Sequence, residues 1–316
     1  MTGLAMDMEF CLLGPLAVRS GGATVPVAAG KQRAVLAALL LAAGRVVPAD
    51  ELAGVLWGAA PPASARVSVQ NYVARLRQAL GEPGRARIET RPGGYLIRVA
   101  ADELDVTRFE ALARAAQAAA RAGSWDAAAA RGRAALALWR GEPLADAGSE
   151  VLVRQEAPRL AELRLQALEA RIEADVRRGH PAEVVAELRG LVSDHPLRDH
   201  LRALLMLALY RDGRPGEALA AYQQARRVLA GELGTEPGPA LQELHQRMLA
   251  ADPALAAPEP WPPEPWPLEA GSLGAAPLEP GPAECEPPEP GLLEAGSLEA
   301  GLLEAGLLEA GLLEAG

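Results

Sequence analysis

Residues 61–99 read PPASARVSVQNYVARLRQALGEPGRARIETRPGGYLIRV, and two periodicities within them leave few folds open. Val69, Val73, Leu76 and Leu80 follow at spacings of four, three and four, which lines them along one stripe of a helix. The opposite face carries Ser64, Val67, Ser68, Asn71, Ala74, Arg75 and Gln78: small or hydrogen-bonding side chains, one long cation and no acid. After a short connector the chain reads as a β-hairpin tipped by Gly93-Gly94, with Arg87, Arg91 and Arg98 along it. A helix that is apolar on one side and readable on the other suits a DNA major groove. The arginine-bearing hairpin suits a neighbouring phosphate track or minor groove. Helix and hairpin together give a winged helix-turn-helix; a solvated surface helix is the competing reading of the face pattern alone.

The neighbours decide between the two. Residues 30–44, GKQRAVLAALLLAAG, form a compact apolar helix that begins basic and ends at a Gly. Residues 46–58, VVPADELAGVLWG, form a second helix with Pro48 near its first turn and Gly58 closing it. The runs EFCLLG, PLAVRS and ATVPV before them predict a small antiparallel sheet turning at Gly21-Gly22. Sheet, three helices and wing is the order of the OmpR/PhoB-type winged helix.

On these strings the chain resembles the Streptomyces antibiotic regulatory proteins over residues 9–250. LLGPLAVR, SVQNYVARLRQALG and TRPGGYLIRV carry the likeness in the first part, with the two helical strings quoted above. In the second part it is carried by residues 195–249, HPLRDHLRALLMLALYRDGRPGEALAAYQQARRVLAGELGTEPGPALQELHQRML. The resemblance implies an N-terminal arm (1–8), a winged-helix DNA-binding domain (9–100) and a bacterial transcriptional activation domain (101–250). The expected fold is therefore mainly α with a small β component: a winged helix followed by an all-α, tetratricopeptide-like domain and a tail.

The middle segment supports that expectation independently. Leu160, Leu163, Leu168, Ile172 and Val176 keep helical spacing, and GSWDAAAAR, GHPAEVVAEL and GRPGEALAAY echo one another from Gly123, Gly179 and Gly213. Each echo predicts a helix ended by Gly, a short turn and a new helix. The last two glycines stand 34 residues apart, the tetratricopeptide period, whereas the first two stand 56 apart. Residues 251–316 differ entirely: rich in Pro, Glu, Gly and Leu, with LLEAG and SLEAG copies and no basic residue, they read as a disordered or extended tail with no assigned function.

Charge must be read by segment. Residues 1–100 hold 11 basic against 6 acidic side chains, 101–250 hold 20 against 22, and 251–316 hold none against 13. The formal net charge of −10 is thus set by the tail and does not argue against a DNA-binding first domain. Cys11 and Cys285 form no disulfide framework, Asp7 and Glu9 stand where a signal peptide would be basic, and the run 34–44 is too short to span a bilayer. A cytoplasmic protein without membrane association is expected. Gly30-Lys31 is not a nucleotide loop, because Val25 and Gln32 replace the required Gly and Ser/Thr. His180, His195, His200 and His245 lack ligand spacing, so no metal, cofactor or enzymatic activity is expected.

Carried over position by position, the resemblance makes residues 63–80 the recognition helix. Ser64, Val67, Ser68, Asn71, Tyr72, Arg75 and Arg77 are then the DNA-binding candidates there, and Thr90, Arg91 and Tyr95 those of the wing. Asn71 can bond adenine bidentately and Arg75 guanine; Val67 offers only apolar contact. Ser64 stands where it would N-cap the helix, and Lys31 near the start of the first helix. The connector 58–64 would face RNA polymerase through Ala59, Ala60, Pro61 and Pro62. The implied function is a transcriptional activator that binds direct repeats in double-stranded promoter DNA as a homodimer, recruits RNA polymerase holoenzyme and controls a secondary-metabolite gene cluster. A tetratricopeptide-type adaptor with a non-reading winged helix, or a repressor with the same head, are the alternatives left by the residues.

Overall fold

A computed structural model describes residues 8–28 and 30–256; the tail from 257 and the arm up to residue 7 lie outside the described residues. β1 (Met8–Cys11), β2 (Ala17–Ser20) and β3 (Ala23–Val25) form the expected antiparallel sheet in that order. Met8, assigned from sequence to the arm, is instead the first residue of β1 and is fully buried with Phe10, while Glu9 between them is exposed. Gly21 and Gly22 turn the chain at φ 56° and 82°.

α1 (Lys31–Leu41) buries every residue from Ala34 to Leu40, which makes it the central helix of the head. α2 (Ala49–Trp57) and α3 (Ala65–Ala79) pack on it and on each other. The short connector after α3 contains a helix, α4 (Gly81–Arg85). β5 (Ile88–Arg91) and β6 (Gly94–Ile97) form the wing, and a third strand joins them: β4 (Val47–Pro48) pairs with β6, giving the order β4-β6-β5. Pro48 therefore stands at the end of an edge strand and at the N-cap position of α2, where its missing N–H breaks no bond. The two wing-tip glycines differ in what they do. Gly93 adopts φ +81°, whereas Gly94 lets β4 approach: a Cβ there would lie inside contact with the Val47 carbonyl oxygen and 2.8 Å from its carbon.

Among the described residues seven α-helices follow: α5 (Asp105–Arg121), α6 (Trp125–Leu136), α7 (Glu150–Arg177), α8 (Pro181–Asp194), α9 (Asp199–Arg211), α10 (Pro215–Leu233) and α11 (Pro239–Leu249). The three echoes take one conformation. Gly123, Gly179 and Gly213 have φ of 73°, 90° and 74°, and the residue after each donates its N–H five residues back, Ser124 to Ala119 (2.9 Å), His180 to Asp175 (3.0 Å) and Arg214 to Leu209 (2.9 Å). These are Schellman C-caps, which satisfy orphan carbonyls and turn the chain into the next helix. Among the described residues no helix is long and apolar enough to cross a membrane.

The core does not divide at residue 100. One apolar cluster runs from Met8 through α1, α3 and β6 into Phe109, Leu144, Leu152 and Leu160. The loop after β1 is its polar seam. The Asp105 carboxylate accepts the amides of Leu12 (2.8 Å) and Leu13 (2.9 Å), and their carbonyls accept the amides of Leu144 (3.0 Å) and Arg140 (2.7 Å). Asp146 accepts the Leu16 amide (2.6 Å) and pairs with Arg33. Ser149 caps α7 by accepting the Leu152 amide (3.1 Å) and donates its hydroxyl to the Val55 carbonyl of α2 (2.6 Å). Burial pushes the Asp105 carboxyl above its ordinary value, against the pull of the Leu12 and Leu13 amides and the Arg140 charge.

Asp105→Ala would leave two buried amides without partners and is expected to lose about 2–4 kcal/mol in chemical denaturation, with Asp105→Asn, which keeps one acceptor, losing less. At the wing tip, Gly94→Ala is expected to cost about 3 kcal/mol through overlap with β4. Gly93→Ala, in open space, should cost about 1 kcal/mol from backbone strain alone; the same denaturation series ranks the two.

Candidate nucleic-acid interface

α3 divides as its sequence predicts. Val69, Val73, Leu76 and Leu80 are all buried to within 4% of full burial, sealing one side against the head's core. On the other side Val67, Asn71, Ala74, Arg75 and Gln78 are exposed, Val67 to 57%. Among the described residues Arg75 has no carboxylate within 4 Å, and neither it nor Asn71 makes a side-chain hydrogen bond, so both remain free for a ligand. Ser68 is half-buried on the edge of this face.

Several side chains are engaged within the fold at positions expected to face DNA. Ser64 occupies the N-cap position but its hydroxyl accepts no cap bond; its φ −84° and ψ 8° are already near-helical, and only its backbone carbonyl serves, accepting the Ser68 amide at 2.9 Å. Tyr95 is only 7% exposed and belongs to the core, because β6 lies between β4 and β5 and all four of its residues are buried. It supports the wing from beneath rather than forming its surface. Arg77 reaches back to the wing, donating to the Ile88 carbonyl (2.7 and 3.0 Å) and the Thr90 hydroxyl (2.9 Å), so Arg77 and Thr90 hold helix and hairpin in fixed relation. Arg87 pairs with Glu103 (2.7 Å) beside the seam and does not extend from the wing. Tyr72 is half-buried against the core.

Two acids, unmarked by any motif, hold arginines near this face. Arg66, on the first turn of α3, makes a two-pronged pair with Asp50 of α2 at 2.8 and 2.6 Å. On the wing, Glu89 pairs with both Arg91 and Arg98. The hydrogen bond from Arg66 holds the Asp50 carboxyl below its usual range; the bond from Arg98, aided by Arg91, does the same for Glu89. The strand register contained the second signal, because Glu89 and Arg91 are two residues apart and share a face of β5.

Ala59, Ala60, Pro61 and Pro62 are all exposed in the loop between α2 and α3. Of these, Ala59 borders a groove of about 770 Å³ between α1, α2 and the start of α7, lined also by Arg45, Glu51, Gly58, Val151 and Arg154. Lys31 stands at the first position of α1 with its ammonium 4.0 Å over the Trp57 ring, so its charge is engaged within the head. Among the described residues no group of three or more His, Cys, Asp or Glu side chains could hold a metal ion.

Comparison with known proteins agrees with this architecture. Residues 26–97 match the family described as transcriptional regulatory protein, C terminal, and residues 104–249 the bacterial transcriptional activator domain. Regulatory protein AfsR of Streptomyces coelicolor is 48% identical over 250 residues, 79% of this chain and 25% of AfsR. Regulatory protein DnrI of Streptomyces peucetius is 41% identical over 256 residues, 78% of this chain and 94% of DnrI. The chain thus spans about a quarter of the length of AfsR but nearly all of DnrI. Among solved structures, Mycobacterium tuberculosis EmbR, in complex with a low-affinity phosphopeptide, superposes with a TM-score of 0.75 at 38% identity, over 78% of this chain and 66% of EmbR. With both domains in the same order and a relative matched almost end to end, the chain belongs to the Streptomyces antibiotic regulatory protein family of transcriptional activators.

Proposed function

We propose that this chain is a sequence-specific activator that reads direct repeats in promoter DNA and recruits RNA polymerase holoenzyme, acting without enzymatic chemistry of its own. The observation that carries the reading is the uncommitted pair Asn71 and Arg75 on the exposed face of a helix whose other face is locked into the core. In a major groove, Asn71 would take adenine and Arg75 guanine, each by two hydrogen bonds, while Val67 contacts a thymine methyl. Ser64, with its hydroxyl free of capping, and Ser68 would bond phosphates at the helix entry, and Arg91 would reach the flanking minor groove from the wing. Arg77, Thr90, Tyr72 and Tyr95 would act indirectly, by fixing the angle between helix and wing.

Two protomers side by side on direct repeats would form the homodimer on DNA, in the cytoplasm, at a secondary-metabolite gene cluster. The names of AfsR and DnrI as regulatory proteins support the class of function; the target operon follows from footprinting. The loop 59–62 is the surface assigned to polymerase, because it is exposed, stiffened by Pro61-Pro62 and apart from the base-reading positions of α3. Repression by the same head differs only in whether transcription rises or falls when the protein is added.

Asn71→Ala and Arg75→Ala are each expected to weaken binding to a footprinted promoter repeat about tenfold to a hundredfold while leaving binding to unrelated duplex less affected, measured by gel shift. Equal weak binding by wild type and double variant to any duplex would instead favour the adaptor reading. Replacing Ala59 and Ala60 with Asp is expected to preserve that affinity and lower transcription in a reconstituted assay; parallel loss of both activities would remove the loop from polymerase contact.

A further inference from the structure

The arginines around the reading face are not equally available. Arg75, at its centre, has no carboxylate within 4 Å among the described residues, whereas Arg91 and Arg98 both pair with Glu89. Cross-strand register explains the arrangement: Glu89 lies opposite Leu96, Arg91 is two residues along β5, and Arg98 is two residues beyond Leu96, so all three side chains share one face of the hairpin. Glu89 is the less accessible member, its side chain 25% exposed against 43% for Arg91 and 64% for Arg98. The wing's two outward cations are therefore tied to a single acid seated between them.

We propose that Glu89 is an internal competitor for DNA phosphate: an affinity-limiting residue that holds Arg91 and Arg98 in the free protein and must release them when the wing meets a duplex. The inference rests on the DNA-reading function proposed above. Its physics is sequence-independent. A phosphate oxygen and a carboxylate oxygen take the same guanidinium donors, so every arginine contact to the backbone is gained only as the contact to Glu89 is given up. Exposed ion pairs of this kind are weak, so the exchange proceeds readily, but it reduces the net attraction of the wing for any DNA. Base reading by Asn71 and Arg75 is untouched. Discrimination then rests on α3, while the overall strength and salt dependence of binding are set in part by one acid on β5. Asp50 engages one arginine, Arg66 at the start of α3, by a two-pronged pair.

The sign of the effect separates this role from a merely structural one. If Glu89 competes with phosphate, Glu89→Gln, which keeps the side chain's size and removes its charge, tightens binding; if it braces the wing, the same change weakens it. The experiment is fluorescence anisotropy of the full chain on a footprinted promoter duplex and on a scrambled duplex of the same length, each over a series of salt concentrations, with Arg75→Ala alongside. For Glu89→Gln we expect roughly three- to tenfold tighter binding to both duplexes near 0.1 M salt, with an unchanged ratio between them. The slope of log affinity against log salt should steepen by about one to two. Unchanged or weaker binding, with wild type still selecting the promoter and Arg75→Ala losing that selection, overturns the role of Glu89 alone. Failure of wild type to bind either duplex overturns the DNA-reading function and this inference with it.

Discussion

A single buried carboxylate organises this molecule. Asp105 opens α5, yet its oxygens satisfy the amides of Leu12 and Leu13, more than 90 residues earlier in the chain. Those amides lie in the turn that leaves β1, where no sheet partner is available and no water can replace one. An unpartnered buried amide costs about as much as a typical mutation removes from a protein's stability. The turn can therefore stay buried only while α5 stays docked. The carbonyls of the same two leucines receive Arg140 and Leu144, so the turn is gripped from both sides by the helical segment. Burial opposes ionisation of the Asp105 carboxyl and the amides favour it, which leaves the contact strong in geometry and sensitive to any loss of a donor.

From that seam the reading surface follows. α1 is buried from Ala34 to Leu40 because α2, α3 and β6 pack against it inside the shared apolar cluster. With α1 fixed, α3 has one orientation that hides Val69, Val73 and Leu76, and this alone decides that Asn71 and Arg75 face outward. Arg77 then converts the wing from an appendage into a fixed neighbour by bonding the backbone of β5. The acids nearby refine the surface electrostatically: Asp50 and Glu89 hold the peripheral arginines and leave the central one available.

Much of this was legible in the sequence, and the remainder was hidden for definite reasons. The stripe of α3, the hairpin and the three Gly-ended helices are local patterns, and local spacing reveals them. β4 was missed because two residues, one of them a proline, carry no alternation; only the close approach over Gly94 exposes the pairing. The family resemblance implies a surface role for Tyr95, whereas a central strand covered on both faces buries every residue. The inward lean of Arg77 and Tyr72 follows from helical angle alone, because Arg77 comes four residues after Val73 and Tyr72 adjoins it, both flanking the buried stripe. Asp105 carries no sequence signal, because its partners arrive from more than 90 residues away; Glu89 carries half of one, since Arg91 two residues on shares its face while Arg98 reaches it only across the hairpin.

The shared core has a consequence for how such a protein can be taken apart and recombined. Ser149 caps the first turn of α7 and at the same time bonds the backbone of α2, and Gly148 beside it sits so near Gly30 that a Cβ would lie 2.5 Å from the Gly30 carbonyl oxygen. A cut at residue 100 falls inside one folding unit, stripping Phe109, Leu144 and Leu152 from the apolar cluster they complete. A new DNA specificity is therefore not acquired by exchanging the head as a cassette. In this chain the portable module extends through the start of α7, so that a breakpoint keeping it whole carries Asp105, Asp146 and Ser149 along with the residues they steady.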